Sequence, residues 1–134
     1  MLIKRKVAVK AIVTEKFKYE LVARLRQALQ KVELAQQQLE AGGTRYLSEL
    51  GSKDPAQAEK FRHRLERQKR RQEQIRAKLA EELASAEKLK LETEYPQATL
   101  DGLVEVRVGD NLSEKLQAAE LIVKDGLVIE MRND

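Results

Sequence analysis

The chain of 134 residues has no cysteine, no tryptophan and a single histidine, His63. Without thiols there can be no disulfide and no thiolate metal site, and one imidazole cannot build a histidine-rich metal centre within one chain. Aromatic residues make up 4% of the sequence, too few to line a deep apolar pocket, while charged residues make up 36%. That balance suits an elongated helical protein with a thin core better than a globular enzyme. No apolar run approaches the ~18 residues that a membrane span requires. The stretch from Met1 to Lys10 imitates the basic start of a signal peptide, but Lys6 and Lys10 cut its apolar part short. Nothing resembles a nucleophile with a base and an orienting group. The expectation is a cytoplasmic, non-enzymatic protein with no membrane segment, no cofactor, no metal and no small-molecule substrate.

What the chain does contain is helical periodicity. Leu21, Leu25, Ala28, Val32, Ala35 and Leu39 recur at alternating steps of four and three, the repeat of a coiled-coil seam. Phe61, Leu65, Gln68, Gln72, Ile75 and Leu79 keep the same step further on, continued by Leu83, Ala86 and Leu89, so the second seam is polar in its middle. Gln68 and Gln72 there either set register or mark a place where the helices part. Between the runs, Asp54 suits an N-cap, Pro55 the first helical position and Gln57 the capping-box return. So short a connection makes the two helices antiparallel neighbours. Gly42 and Gly43 predict a kink, a fray or a short loop in the first run, since each costs about 1 kcal/mol against alanine in a helix.

Both ends of the chain read as strands. From Leu2 to Val13 the apolar residues Ile3, Val7, Val9, Ala11 and Val13 fall on one face and Lys4, Lys6 and Lys10 on the other. Thr14 then suits the cap of the first helix. Tyr95-Pro96 closes the second helix, because proline disfavours helix at the residue before it. Leu103 to Val108 alternates again, and Ser113 suits the cap of a short helix over Glu114 to Ala119. Asp125-Gly126 lies between Leu121–Lys124 and Leu127–Arg132, and predicts a type I′ hairpin, whose two central residues need positive φ. The fold class is therefore α+β: a single domain over 1–134, in which a long antiparallel helical hairpin (a coiled-coil arm, 14–94, with a break near 42–55) stands on a small antiparallel sheet made by 2–13 and 103–132.

This arrangement resembles the YlqD family of small bacterial proteins. The resemblance rests on the lysine-rich opening strand, the helical hairpin, Val104-Glu105-Val106-Arg107-Val108-Gly109-Asp110, and Ile122-Val123-Lys124-Asp125-Gly126 followed by Leu127-Val128-Ile129-Glu130. It implies a functionally uncharacterised family and brings no catalytic residues to this chain.

The net charge of +4 conceals an asymmetry. Residues 59–78 hold nine basic and three acidic side chains, whereas residues 79–134 hold six and thirteen. The nine cations Lys60, Arg62, Arg64, Arg67, Lys69, Arg70, Arg71, Arg76 and Lys78 are the candidate site. At about 100° per residue, Lys60, Arg64, Arg67, Arg71 and Lys78 form one stripe beside the seam, and Arg62, Lys69 and Arg76 line its other flank. The facing run offers Gln36 and Gln38, with only Glu33 and Glu40 as nearby acids. An uncompensated field of this kind favours phosphate-rich partners, here RNA or a ribonucleoprotein, and makes binding salt-sensitive. Nearer the hairpin base, Arg24 and Lys31 are expected to face Glu82 and Glu87. Lys4, Arg5, Lys6 and Lys10 would extend the patch, unless they only guard an edge strand against aggregation. The plainer reading is that these cations keep an exposed helix in solution through weak surface pairs.

His63 has no second ligand near it, and Gly42-Gly43-Thr44 lacks the lysine of a phosphate loop. Glu81-Glu82 and Glu92-Glu94 read as solvated faces, and Tyr46 and Phe61 as packing residues, with base stacking the alternative. A protein-interaction scaffold or prefoldin-like holdase is the alternative function, and a homo-oligomer is expected because a two-helix seam with polar members buries little surface alone.

Overall fold

The computed structural model describes residues 1–133 and orders the chain as β1 (Leu2–Ile12), α1 (Glu15–Lys53), α2 (Pro55–Glu87), β2 (Glu94–Glu105), α3 (Leu112–Leu116), β3 (Ala119–Lys124) and β4 (Leu127–Arg132). It has the α+β architecture expected, with two long helices and a four-stranded sheet built from both ends of the chain. Two compact units result: residues 1–19 with the stretch from Leu89 on, and Glu20–Lys88.

In the first unit the strand order is β2-β1-β3-β4. β1 pairs antiparallel with β2 and parallel with β3, and β3 pairs antiparallel with β4. The sheet is therefore mixed, not wholly antiparallel as expected. The reason is topological: β2 runs against β1, and the connection through α3 returns the chain for β3 to run with β1. β2 also begins at Glu94, not near Leu103, and carries Pro96 within it. Proline survives there because β2 is an edge strand and its register with β1 slips between Val9 and Lys10, leaving Gln97 unpaired beside Pro96. Asp125 and Gly126 have φ of 47° and 86°, the positive pair that the predicted hairpin requires. The short helix starts earlier than predicted and is capped by Asn111, whose side chain accepts from the Glu114 N–H at 3.2 Å, in place of Ser113. Val13 and Ile122 are fully buried, with Ala11 and Ala119 close behind. Phe17 and Tyr95 stack with ring centroids 5.5 Å apart.

The helical hairpin starts and turns as its caps dictate. Thr14 Oγ1 accepts from the Phe17 N–H at 3.1 Å, and Asp54 Oδ1 from the Gln57 N–H at 3.2 Å, with Pro55 opening α2. Asp54 alone separates the helices. Side-chain contacts link Arg26 to Glu87, Gln36 to Glu73, Glu40 to Lys69 and Tyr46 to Phe61. Ascending numbers on α1 meet descending numbers on α2, which is antiparallel pairing.

Two expectations for the hairpin fail. α1 runs unbroken through Gly42 and Gly43 to Lys53, and α2 ends at Glu87, before the last predicted seam residue. Gly43 is buried, and a Cβ on it would lie 2.7 and 2.8 Å from the two methyls of Leu65, while one on Gly42 would meet nothing. Gly43 is thus the floor on which Leu65 sits. The contact allows close helix approach, and burial of Leu65, worth on the order of 1.5–3 kcal/mol, offsets the propensity cost of the glycine.

The seam itself shifts phase at that level. On α1 the less exposed positions continue from Ala35 to Leu39, Gly43 and Leu47 in steps of four; on α2 they run Phe61, Leu65, Lys69, Gln72, Arg76 and Leu79. Consecutive steps of four locally unwind a heptad pattern. Gln68 and Ile75, expected in the seam, are therefore exposed, Ile75 by 46%, and Lys69 and Arg76 take those places.

Candidate functional site

The phase shift turns the nine candidate cations into two different groups. Lys69 lies against Glu40 of α1, Arg62 against Glu59, and Arg76 donates to Glu73 from both Nε and Nη2, the latter at 2.6 Å. Glu73 also accepts from Gln36 Nε2 at 3.0 Å, so its carboxylate ties α2 to α1. The Arg76 hydrogen bonds, and then that of Gln36, hold the Glu73 carboxyl down to about 2; reciprocally, Glu73 raises the Arg76 guanidinium. This flank, shared with Glu33, is balanced in charge.

The opposite flank is not. Among the described residues no carboxylate lies within 4 Å of Lys60, Arg64, Arg67, Arg70, Arg71 or Lys78. Five of these six are the stripe read from the sequence, and the sixth, Arg70, is its helical neighbour. Arg64, Arg67 and Arg71 border an open groove of ≈ 500 Å³ whose other lining residues are Gln68, Gln72 and Ile75. A second groove of ≈ 350 Å³ shares Arg64 and Gln68 with it and adds Phe61, Leu65, Gln38, Leu39 and the Gly42-Gly43 step. At ~1.5 Å per residue, the row from Lys60 to Lys78 extends about 27 Å along α2.

Sequence reasoning did not find the detail inside the groove. Gln72 Oε1 is buried and has no hydrogen-bond partner. Its signal was the polar residue in an apolar repeat, but only the shifted phase shows that it turns inward while Gln68 stays exposed. Tyr46 and Phe61 pack edge to face on each other with centroids 4.7 Å apart. His63 Nε2 lies 3.2 Å from Glu59, and the described residues hold no cluster of three metal-ligating side chains.

Of the four basic candidates on β1, Arg5, Lys6 and Lys10 are engaged elsewhere, and Lys4 has no ion pair among the described residues. Lys6 is 2.6 Å from Asp101, Lys10 is 3.0 Å from Glu120, and Arg5 donates to the Asn133 carbonyl at 2.9 Å. Arg5, Lys6 and Lys10 are therefore not free cations. Arg132 joins Glu94, Glu120 and Glu130 at 2.7 to 3.4 Å, and its charge is stabilised chiefly by Glu130 and then Glu94. Near Glu87 it is Arg26, at 3.1 Å, that forms the ion pair; Arg24, Lys31 and Glu82 form none among the described residues.

Fold and site together define an α+β protein whose helical hairpin carries one balanced and one cationic flank. The family model described as YlqD protein matches residues 1–132, and the chain belongs to the YlqD family. It is 30% identical over 132 residues to the "Uncharacterized protein YlqD" of Bacillus subtilis (strain 168), covering 98% of either chain. A crystal structure of a protein of unknown function from Synechococcus sp. WH 8102 superposes with a TM-score of 0.86 at 22% identity, covering 98% of this chain and 94% of that one, which establishes the shared fold. No described helix is long and apolar enough to cross a membrane.

Proposed function

We propose that this protein is a non-enzymatic, cytoplasmic binding protein that holds RNA or a ribonucleoprotein against the cationic flank of its helical hairpin. The observation that carries the reading is the segregation of charge: Arg62, Lys69 and Arg76 have carboxylate partners, whereas Lys60, Arg64, Arg67, Arg70, Arg71 and Lys78 have none among the described residues. A helix that needed cations only for solubility would gain from pairing both flanks. Six unpaired cations in a row instead supply a field that phosphates neutralise with release of counterions. The test is chromatography of the full chain on heparin and on immobilised RNA. Retention that survives about 0.2 M salt supports the function, and passage through both columns at low salt ends it.

Self-association belongs to the same proposal. β4 is an edge strand, and its Leu127, Val128, Ile129 and Met131 are exposed by 55 to 72%. An open apolar edge is a template for pairing with another chain. A monomeric mass by light scattering at working concentrations would remove this part.

A further inference from the structure

We infer that the middle of α2 has two seam phases, related by a turn of about 40° about the helix axis, and that the hairpin exchanges between them. The apolar pattern of the sequence describes one phase, and the fold holds the other. Leu65, Gln72 and Leu79 belong to both, and the difference lies in the residues between them: Gln68 and Ile75 in the pattern, Lys69 and Arg76 in the fold. At about 100° per residue the first set centres about 40° round the helix from the second. Each set is a complete heptad seam with steps of three and four. Because Leu65 is common to both, the exchange leaves its seat on Gly43 in place.

Each phase satisfies what the other leaves wanting. In the fold, Ile75 is 46% exposed and Gln72 Oε1 is enclosed with no donor, while Lys69 and Arg76 fill seam positions and meet Glu40 and Glu73. Turning α2 by about 40° carries Ile75 into the seam. It also brings Gln68 in beside Gln72, one helical turn away at i and i+4, where the Gln68 amide is placed to donate to the orphaned oxygen. What is given up is weak: Lys69 leaves Glu40 and Glu73 leaves Gln36, both contacts of exposed side chains. Arg76 and Glu73 lie three residues apart on α2 itself and stay together. Gains and losses are of the same order, which is the condition for two populated states. The cations turn with the helix: Arg64, Arg67 and Arg71 swing toward α1 and Lys69 joins the unpaired set, so the phase governs both the aim and the number of free charges.

The test uses the full chain, which has no cysteine and, between residues 20 and 88, a single isoleucine, Ile75. In the parent, methyl relaxation dispersion at Ile75 should show microsecond-to-millisecond exchange, and Lys69→Leu/Arg76→Leu, which makes the present seam apolar, should quench it. Gln68→Leu favours the other phase in the same way. Residues 68 and 75 stand about 10.5 Å apart along one helix, so their substitutions are additive if α2 never turns. Rotation couples them: Ile75→Ser should raise the urea unfolding constant about tenfold more in Gln68→Leu than in the parent. Lys69→Cys introduces the only thiol, and its alkylation should be at least about tenfold faster once Gln68→Leu is added. A flat Ile75 profile in the parent, additive substitutions at 68 and 75, or unchanged alkylation overturns the inference. None of these results touches the polyanion reading, which needs only the unpaired row.

Discussion

Gly42→Ala and Gly43→Ala place the same methyl on adjacent positions of one helix, yet the structure requires opposite outcomes. Removing a glycine from a helix interior is worth about 1 kcal/mol, and both substitutions collect that gain. At Gly42 the new Cβ meets nothing within 4 Å, so the gain stands alone. At Gly43 it would lie 2.7 and 2.8 Å from the methyls of Leu65, which is only 5% exposed and has little room to withdraw. Overpacking of this kind costs roughly 1–3 kcal/mol. Gly43→Ala should therefore fall about 1–3 kcal/mol below Gly42→Ala in urea unfolding followed by circular dichroism, with unchanged m-values. In a Leu65→Ala background, itself weakened by about 2–5 kcal/mol, the obstruction is gone, and Gly43→Ala should then stabilise like Gly42→Ala. Equal stabilisation by both alanines in the parent chain would refute the seating of Leu65 on Gly43, and with it the account of the phase shift.

Two further outcomes follow from the caps and the interhelical network. Asp54→Ala removes the acceptor of the Gln57 N–H and should cost about 1 kcal/mol in the same unfolding measurement, with Asp54→Ser largely restoring it. Glu73 has a depressed carboxyl in the folded chain, so its contribution is present above its ordinary value of 4.5 and fades as pH falls toward about 2. The acid limb of a stability profile should accordingly flatten between those values in Glu73→Gln, and a limb identical to that of the parent would show that the Arg76–Glu73–Gln36 link does not hold the helices.

The parts of this fold legible in the residues are those with a local physical cause. Asp54-Pro55 with Gln57 supplies a cap and a fixed φ, and Asp125-Gly126 accepts positive φ, so both turns follow from side-chain chemistry within a few residues. What escaped depends on partners distant in sequence. Gly42-Gly43 reads as a break until Leu65, more than twenty positions away, is seen to need the space. Glu94 to Asp101 is too polar and too interrupted by Pro96 to read as strand; it is one because β1 offers it an edge and a bulge absorbs the proline. Nothing local distinguishes parallel from antiparallel pairing of β3, which the connection through α3 decides. The cationic stripe was legible because 100° per residue assigns faces without knowing the partner helix. Which stripe would be neutralised was half legible: Arg62, Lys69 and Arg76 do share a flank, but their acids are Glu59, Glu40 and Glu73, two of them on α2 itself.

The central claim is that the two flanks of the hairpin differ in function, because three cations on one have carboxylate partners and six on the other have none among the described residues. Its most direct test is the salt dependence of single-stranded RNA binding for two double variants with the same loss of charge, Arg67→Gln/Arg71→Gln on the free flank and Arg62→Gln/Lys69→Gln on the paired one. The first should lower the slope of log K against log salt by about 1.4, and the second should leave it within error of the parent. Equal slopes for the two variants would mean that net charge alone attracts the RNA, and would contradict the account.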